Sequence, residues 1–239
     1  MDSSIGKNSE PAQNTEKSTP MDTANQNRLT RNTLSERCAA HGFKLDDTAA
    51  DRLFRYLQLL LKWNKVMNLV GLHGWQKIVD ELILDSFHLA DFLGRLNLAD
   101  APECWDFGSG AGLPGIPLRM VWQKGTYHMV ELREKRALFM QTALAEQKLP
   151  RTYVFRGRAE DFMKTANPAN LLISRAFRPW DKVLKLVQGH LATDGAVLCL
   201  TLEPTPSGLP GKWKILATHK YILPAPGPDK PRYFWLLSP

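Results

Sequence analysis

Apolar residues follow two different rhythms along this chain, one helical and one typical of buried strands. From Asp46 onward they recur every three or four positions, and the repeating residues are Leu53, Tyr56, Leu57, Leu60, Leu61 and Val66. This spacing predicts an amphipathic helix that Asp46 or Asp47 caps. Gly71 and Gly74 interrupt the pattern, which then predicts a second helix over residues 75–93.

From residue 103 onward, short apolar runs alternate with helical segments. The predicted strands are 104–107, 127–131, 152–156, 171–174 and 196–202, and the predicted helices lie near 115–123, 133–147, 159–165 and 180–190. This alternation favours an α/β fold with a doubly wound, mostly parallel sheet. After a turn-rich break at 204–211, the runs 213–218 and 233–237 predict a closing antiparallel pair.

Composition divides the chain of 239 residues into three parts. Residues 1–28 are polar and hold almost no large apolar side chains, so we expect a disordered tail. A helical extension is predicted for residues 29–100 and an α/β domain for residues 101–239. A domain of this size can bury a sufficient hydrophobic core without stabilising disulfides or a structural metal.

Charge and cysteine content indicate which binding partners and which cellular compartment to expect. The net charge of +7 favours a polyanion such as nucleic acid, although a basic protein without that partner has the same composition. Cys38, Cys104 and Cys199 are far apart, and neither cysteines nor histidines show metal-ligand spacing. No apolar run reaches the roughly 18–20 residues of a membrane span. We therefore expect a cytoplasmic monomer that uses no metal and no membrane.

The segment at 105–117, Trp-Asp-Phe-Gly-Ser-Gly-Ala-Gly-Leu-Pro-Gly-Ile-Pro, carries the strongest chemical signal. Gly108, Gly110 and Gly112 let the backbone turn tightly and approach a ligand, and a helix is predicted to follow them. Glu131 ends the next predicted strand, where a carboxylate accepts hydrogen bonds from ribose hydroxyls. The combination indicates an adenosine-containing cofactor, and the glycines alone also satisfy the dinucleotide pattern.

Two acidic features favour S-adenosylmethionine over NAD. Asp106 precedes the glycines, where it would face the cationic aminoacyl end of that cofactor. The run Ala159-Glu160-Asp161 follows the third predicted strand, at the place where methyltransferases contact adenine. A carboxylate at a helix start, however, stabilises the helix without any ligand.

Longer motifs occur in order along the chain, and they are Lys-Trp-Asn-Lys-Val-Met-Asn-Leu at 62–69, Leu-Asp-Ser at 84–86, the segment 106–117, Glu-Lys-Arg at 134–136, Arg-Ala-Glu-Asp-Phe at 158–162 and Ile-Ser-Arg-Ala-Phe at 173–177. Together they resemble one family, the small-subunit ribosomal RNA guanine-N7 methyltransferases, also called glucose-inhibited division protein B. The resemblance implies an N-terminal helical extension on a seven-stranded sheet. It also implies methyl transfer from S-adenosylmethionine to N7 of one guanosine in the decoding-region loop of 16S rRNA.

The same resemblance assigns site residues by position. It implies that the cofactor pocket is lined by Gly108, Leu113, Ala159, Glu160 and Arg175, and that Glu131 takes the ribose-binding place, which is usually Asp in relatives. The chain departs from the family pattern where Glu81-Leu82 replaces Arg-His, where Thr201 replaces Lys and where Ala111 replaces Pro. The cofactor half is therefore closer to the family than the half expected to face RNA.

The expected chemistry needs no general base, because guanine N7 has a free lone pair and no proton to lose. Catalysis would rest on alignment and on exclusion of water, so we predict no proton-transfer residue. Arg175 is the side chain expected where cofactor and substrate meet, since the end of a strand lies at the ligand-binding rim of such sheets. A surface ion pair is the alternative interpretation of Arg175.

Basic residues beside the motifs are candidate RNA contacts, and they are Lys62, Lys65, Lys135, Arg136, Arg158 and, less specifically, Arg156. Lys135 and Arg136 open a predicted helix, where positive charge is unfavourable unless phosphate binds it. Trp63 either stacks on a base or packs in the core. The expected partner is 16S rRNA or the small ribosomal subunit. Three alternatives stay open: a methyltransferase of this fold with another substrate, an NAD-dependent oxidoreductase and a non-catalytic RNA-binding protein.

Overall fold

The computed structural model describes residues 28–224 and 230–239, so the tail predicted for residues 1–28 lies outside the described part except for Arg28. The helical segments that come first are α1 (Arg31–Ala40), α2 (Asp47–Met67), α3 (Trp75–Ile78), a π-helical turn (Val79–Ile83) and α4 (Leu84–Gly94). The α/β part follows as β1 (Glu103–Phe107), α5 (Gly115–Val121), β2 (Thr126–Glu131), α6 (Glu134–Gln147), β3 (Thr152–Arg156), α7 (Ala159–Met163), β4 (Ala169–Arg175), α8 (Trp180–Val187), β5 (Leu191–Thr201), β6 (Lys214–Leu223) and β7 (Lys230–Ser238).

These strands form one seven-stranded sheet in the order β3-β2-β1-β4-β5-β7-β6. The first five strands pair in parallel, and β7 runs antiparallel to both of its neighbours. The predicted α/β class, the mostly parallel doubly wound sheet and the helical extension are therefore confirmed. Strands buried on both faces explain the continuous apolar runs of the sequence, such as Leu171–Ile173.

Helix α2 begins and ends as its sequence predicts, with one correction on its surface. Asp46 caps it by accepting a hydrogen bond from the Ala49 backbone N–H at 2.7 Å, and Asn68 ends it in the left-handed conformation. Val66, which the periodicity places with the apolar face, is 87% exposed. The reason is that Val66 lies about two and a half turns after Leu57, which places it on the opposite side of the helix.

The extension contains two features that the apolar pattern does not predict. Helix α1 starts with a capping box between Thr30 and Thr33, but only Leu34 and Cys38 are buried, too few for a clear helical repeat. The predicted helix over 75–93 is interrupted by the π-helical turn Val79–Ile83, directly before the Leu-Asp-Ser motif. Insertions of this kind often occur at functional sites.

Successive strand residues point to opposite faces of the sheet, and each face has its own core. Cys104 and Leu171 join the core that includes the helical extension, whereas Trp105 and Leu172 join the core under α7 and α8. Cys38 and Cys199 are also buried, and all three cysteines are free thiols. The parallel strands end at one common edge of the sheet, where the candidate site lies.

Two kinds of feature are absent from the part of the chain that the structure describes. Among residues 28–224 and 230–239, no helix is long and apolar enough to cross a bilayer. The same residues contain no group of His, Cys, Asp and Glu side chains arranged to hold a metal ion.

Candidate cofactor and RNA site

The loop after β1 has a backbone that requires glycine. Gly108, Gly110 and Gly112 have φ values of 72°, 58° and 75°, in the left-handed region that other residues avoid. A Cβ on Gly108 would lie 2.8 Å from a ring carbon of Phe177, and a Cβ on Gly112 would overlap Ile116. Backbone and neighbours together therefore fix this loop, as the sequence predicts.

Glu131 connects this loop to the end of β2. Its Oε2 accepts a hydrogen bond from the Gly110 N–H at 3.0 Å, and its Oε1 accepts one from the Arg133 N–H at 2.8 Å. The side chain is buried, so these amides replace water around the carboxylate. Each carboxylate oxygen has further acceptor capacity, which leaves room for a ligand hydroxyl.

A cavity of about 290 Å³ opens beside Gly108 and Glu131. Four of the predicted cofactor residues line it, namely Gly108, Glu131, Ala159 and Glu160. Val130 and Leu132 add apolar surface, and Leu132 is 59% exposed although it adjoins a buried strand. A cavity with an acidic inner group, glycine backbone and apolar walls has the character of a small-molecule site.

The other predicted cofactor residues are not part of the cavity lining. Gly110, Gly112 and Leu113 belong to the loop but do not line the cavity. Asp106 is 1% exposed and accepts a hydrogen bond from the Tyr127 hydroxyl at 3.2 Å. Burial raises the pKa of Asp106 to about 7, against the opposing effect of that hydrogen bond. Contact of these residues with a cofactor stays a prediction.

Arg175 ends β4 and points toward the helical extension. Its Nε lies 3.1 Å from Asp85 Oδ2, and Asp85 is 2% exposed. The Tyr221 hydroxyl on β6 donates to the other oxygen of Asp85. The ion pair of Arg175 is therefore made with a buried carboxylate and not at the surface. The next two residues, Ala176 and Phe177, do line the cavity.

Arginines surround the mouth of the cavity. The predicted RNA contacts Arg136 and Arg158 are among its lining residues, together with Arg133 and Arg178. Arg178 pairs with Glu160 at 2.8 Å, whereas the structure shows no ion pair for the other three within residues 28–224 and 230–239. Three such cations at one opening form a suitable contact for phosphate.

The remaining basic candidates lie on exposed helix ends. Lys62 and Lys65 are exposed near the end of α2, and Lys135 is exposed in the first turn of α6. Trp63 packs against Phe139 with ring centroids 5.5 Å apart, which supports the core-packing interpretation and brings the two helices together. Arg156, in contrast, pairs with Glu134, its Nη1 lying 3.1 Å from Oε1.

Sequence reasoning misses several lining residues that adjoin the motifs. Arg133 follows Glu131 by two positions, and Phe177 closes the Ser-Arg-Ala-Phe motif. Ala176 has φ 52°, an unusual value for a residue with a Cβ, which turns the chain so that Phe177 lies over Gly108. Nothing in the residue types alone marks Ala176 as a left-handed position.

Fold and site together define a class of protein. A sheet with one antiparallel strand at this position, a glycine loop after β1 and a buried acidic residue at the end of β2 are the features of a Rossmann-like class I methyltransferase. The solved structure titled putative methyltransferase yhhF from Escherichia coli is similar in fold, with a TM-score of 0.50, 17% sequence identity, and coverage of 66% of this chain and 88% of that one.

Comparison of sequences identifies the particular family. The model of the family described as rRNA small subunit methyltransferase G matches residues 49–203, so the chain belongs to that family. A relative named ribosomal RNA small subunit methyltransferase G from Nitratidesulfovibrio vulgaris is 49% identical over 211 residues, which cover 88% of this chain and 95% of the relative. Another from Lawsonia intracellularis is 48% identical over 192 residues, with coverage of 80% and 88%.

Proposed function

We propose that the chain transfers a methyl group from S-adenosylmethionine to N7 of a guanosine in 16S rRNA. Its family supports the ribosomal RNA substrate, and the motif resemblance supports the N7 position. One observation of the structure carries the proposal. The cavity has a buried carboxylate against its glycine loop, whereas three arginines at its mouth, Arg133, Arg136 and Arg158, make no ion pair within the described residues.

The residues present suit the proposed cofactor. Glu131 offers acceptor capacity for ribose hydroxyls, and Val130 and Leu132 offer apolar contact for an adenine ring. A Cβ on Gly108 would meet Phe177 at 2.8 Å, so the close approach of backbone at this point depends on glycine. When bound, S-adenosylmethionine would supply an electrophilic methyl group next to a positively charged sulfur.

The protein's own groups would align and shield the reaction rather than move protons. The N7 atom of guanine has its lone pair free, so the reaction requires no general base. Phe177 packs against Gly108 and against Phe107, with ring centroids 5.7 Å apart in the second contact, and so shields one side of the loop from water. Alignment of two bound reactants lowers the barrier without any acid or base.

The arginine-lined mouth would bind the RNA backbone. Arg133, Arg136 and Arg158 offer forked donors that match phosphate oxygens. Lys62 and Lys65 extend this positive surface along the exposed end of α2. Contacts to phosphate position a nucleic acid without reading its sequence. Recognition of one guanosine would then depend on the shape of the loop that presents it.

Labelled methyl transfer tests the proposal directly. The purified protein is incubated with methyl-labelled S-adenosylmethionine and, separately, with small subunits, free 16S rRNA and 23S rRNA that lack the modification. We expect label only on small-subunit RNA, at a guanosine that becomes sensitive to borohydride and aniline cleavage, as N7-methylguanosine does. Label on another RNA would favour a methyltransferase with a different substrate, which the departures at Glu81 and Thr201 make the leading rival.

Calorimetric titration separates the remaining alternatives. Binding of S-adenosylhomocysteine but not NAD is expected, because Asp106 and the run Ala159-Glu160-Asp161 favour S-adenosylmethionine over NAD. NAD binding alone would overturn the proposal in favour of an oxidoreductase, and rRNA binding without cofactor binding would favour a non-catalytic protein.

Substitutions at two arginines of the cavity mouth and at the exposed Lys135 test the RNA surface. Each of Lys135→Ala, Arg136→Ala and Arg158→Ala is expected to weaken rRNA binding and to reduce the slope of log K against log salt by about 1. Lys124→Ala is the control, because Lys124 is exposed at the opposite edge of the sheet, before β2 begins. Equal losses in the control and the three variants would contradict the assignment of this surface.

A further inference from the structure

The Leu-Asp-Ser motif of the extension contains a buried carboxylate whose role the proposed reaction does not explain. Asp85 is 2% exposed on α4, and ionised groups in such places need partners. Its partners come from two distant parts of the chain, Arg175 on β4 and Tyr221 on β6. A carboxylate that joins three elements in this way fixes their relative positions.

Tyr221 is packed so that its hydroxyl donates to Asp85. Its ring stacks on Phe234 with centroids 4.4 Å apart and lies 4.7 Å from the His88 ring, which leaves the hydroxyl directed at Asp85. Burial and the nearby negative charge raise the pKa of Tyr221 far above its usual value. The hydroxyl therefore stays protonated near neutral pH and donates to Asp85.

Arg175 is held at only one of its nitrogen positions. Its Nε faces Asp85 at 3.1 Å, whereas neither Nη atom has a hydrogen-bond partner in the described part of the chain. Burial raises the pKa values of Tyr56, Asp106 and Tyr221, and the positive charge of Arg175 opposes that rise at all three. The guanidinium thus lies among the extension, the glycine loop and β6, with two donor groups still available.

The chain after Arg175 becomes the wall of the cavity. Ala176 adopts φ 52°, and Phe177 then packs against Gly108. Any movement of Arg175 would be passed directly to this turn, because no residue separates them. The π-helical turn Val79–Ile83 ends immediately before α4, two residues before Asp85.

We propose that Asp85 and Tyr221 are positioning residues that hold Arg175, and with it the Ala176–Phe177 turn, in the arrangement needed for methyl transfer. The inference rests on the proposed function and deepens it, since it assigns a role to two residues outside the cavity. Neither residue lines the cavity, so both act through Arg175. The Nη atoms of Arg175 are the groups whose direction they control.

Epistasis distinguishes positioning from simple structural support. Asp85→Asn and Tyr221→Phe are made alone and in an Arg175→Ala background, and transfer to small-subunit rRNA is measured at saturating cofactor. Alone, Asp85→Asn is expected to lower the rate by about 10- to 100-fold, the cost of misplacing a reacting group by about 1 Å. Tyr221→Phe is expected to have a smaller effect. In the Arg175→Ala background, each further loss is expected to stay below about two-fold, because coupled residues are not additive.

Matched controls use the same substitutions at exposed positions. Asp91→Asn lies on α4, and Tyr153→Phe lies on β3 with its ring half exposed. Both are expected to leave the rate unchanged. Equal fold losses with and without Arg175 would show that Asp85 and Tyr221 only support the fold, and full activity of both single variants would also overturn the inference.

A second readout does not depend on turnover. Amide hydrogen exchange of the unliganded protein is measured over residues 175–178. Asp85→Asn is expected to speed exchange at Ala176 and Phe177 in the native background but not to speed it further in Arg175→Ala. Unchanged exchange would overturn the inference even if the enzyme is inactive on rRNA. An inactive native protein with the expected exchange pattern would instead contradict the proposed substrate alone.

Discussion

Two buried carboxylates, Glu131 and Asp85, lie near the same edge of the sheet but are satisfied in different ways. Glu131 accepts hydrogen bonds from two backbone amides, one just after β2 and one on the neighbouring loop. Asp85 is satisfied by side chains, and Tyr221, which donates to it, comes from a strand far along the chain. Backbone donors hold a carboxylate as long as the loop exists, whereas side-chain donors hold it only while distant elements stay packed together.

The difference indicates which half of the site tolerates sequence change. A carboxylate bound by amides depends on backbone shape, and therefore on the glycines that permit that shape. A carboxylate bound by Arg175 and Tyr221 depends on two particular side chains, so the loss of either leaves a buried charge with one partner fewer. Substitutions on the two sides should therefore fail in different ways, one in ligand binding and the other in stability.

A single substitution in the glycine loop is expected to abolish cofactor binding. Gly110→Asp places a side chain in the left-handed region and a second negative charge next to Glu131, so measurable binding of S-adenosylhomocysteine should be lost in calorimetry. Gly208→Asp is the control, because Gly208 also has positive φ but a Cβ added there would meet nothing within 4 Å. Both variants should lose about 1–2 kcal/mol of stability. Normal cofactor binding by Gly110→Asp would remove the loop from the site.

Removal of Asp85, the carboxylate that side chains hold, is expected to give the largest loss of stability. Asp85→Ala leaves Arg175 without a counter-charge and Tyr221 without an acceptor, and breaking a buried pair costs about 3–5 kcal/mol. We expect the low end of that range, because Arg175 is 20% exposed. Urea denaturation measures the change, and Asp91→Ala on the same helix should stay within about 0.5 kcal/mol. Equal losses of unfolding free energy in Asp85→Ala and Asp91→Ala would show that side-chain partners do not make Asp85 important for stability.

Asp106 is a third buried carboxyl group, next to the glycine loop, and its stability contribution is expected to depend on pH. Its folded pKa of about 7 is above the unfolded value of about 3.9, so the native state binds the proton more tightly. This contribution to stability is present below about pH 4 and is lost as pH rises through about 7. Asp106→Asn should therefore gain stability relative to the native protein between these pH values, by a few kcal/mol at most. A difference that does not vary with pH in urea denaturation would contradict the raised pKa.

Sequence reasoning succeeds where a local rule decides the structure. The strands are predictable because buried parallel strands are continuous apolar runs, and the loop is predictable because Gly108, Gly110 and Gly112 follow a strand at a fixed spacing. Glu131 is found for the same reason, since its place at the strand end defines its neighbours. The apolar runs and the glycine spacing depend on residues that are close together in the sequence.

Prediction from the sequence fails where the structure depends on partners that are distant in the chain. No spacing rule connects Asp85 with Tyr221 or with Arg175, so the sequence does not predict either contact. The π-helical turn has the same composition as ordinary helix, and the periodicity continues through it. Val66 is misplaced because it lies on the side of α2 opposite Leu57, although it is apolar.

The placement of β7 between β5 and β6 has a consequence for how the protein is made. In the described sheet β6 pairs with β7 alone, β7 follows it in the chain, and Tyr221 lies on β6. During synthesis the glycine loop and Glu131 emerge and can form their contacts well before β7 exists. Asp85 acquires its tyrosine donor only after β7 leaves the ribosome and docks on β5. The nascent chain therefore completes its glycine loop early and its Arg175 support last.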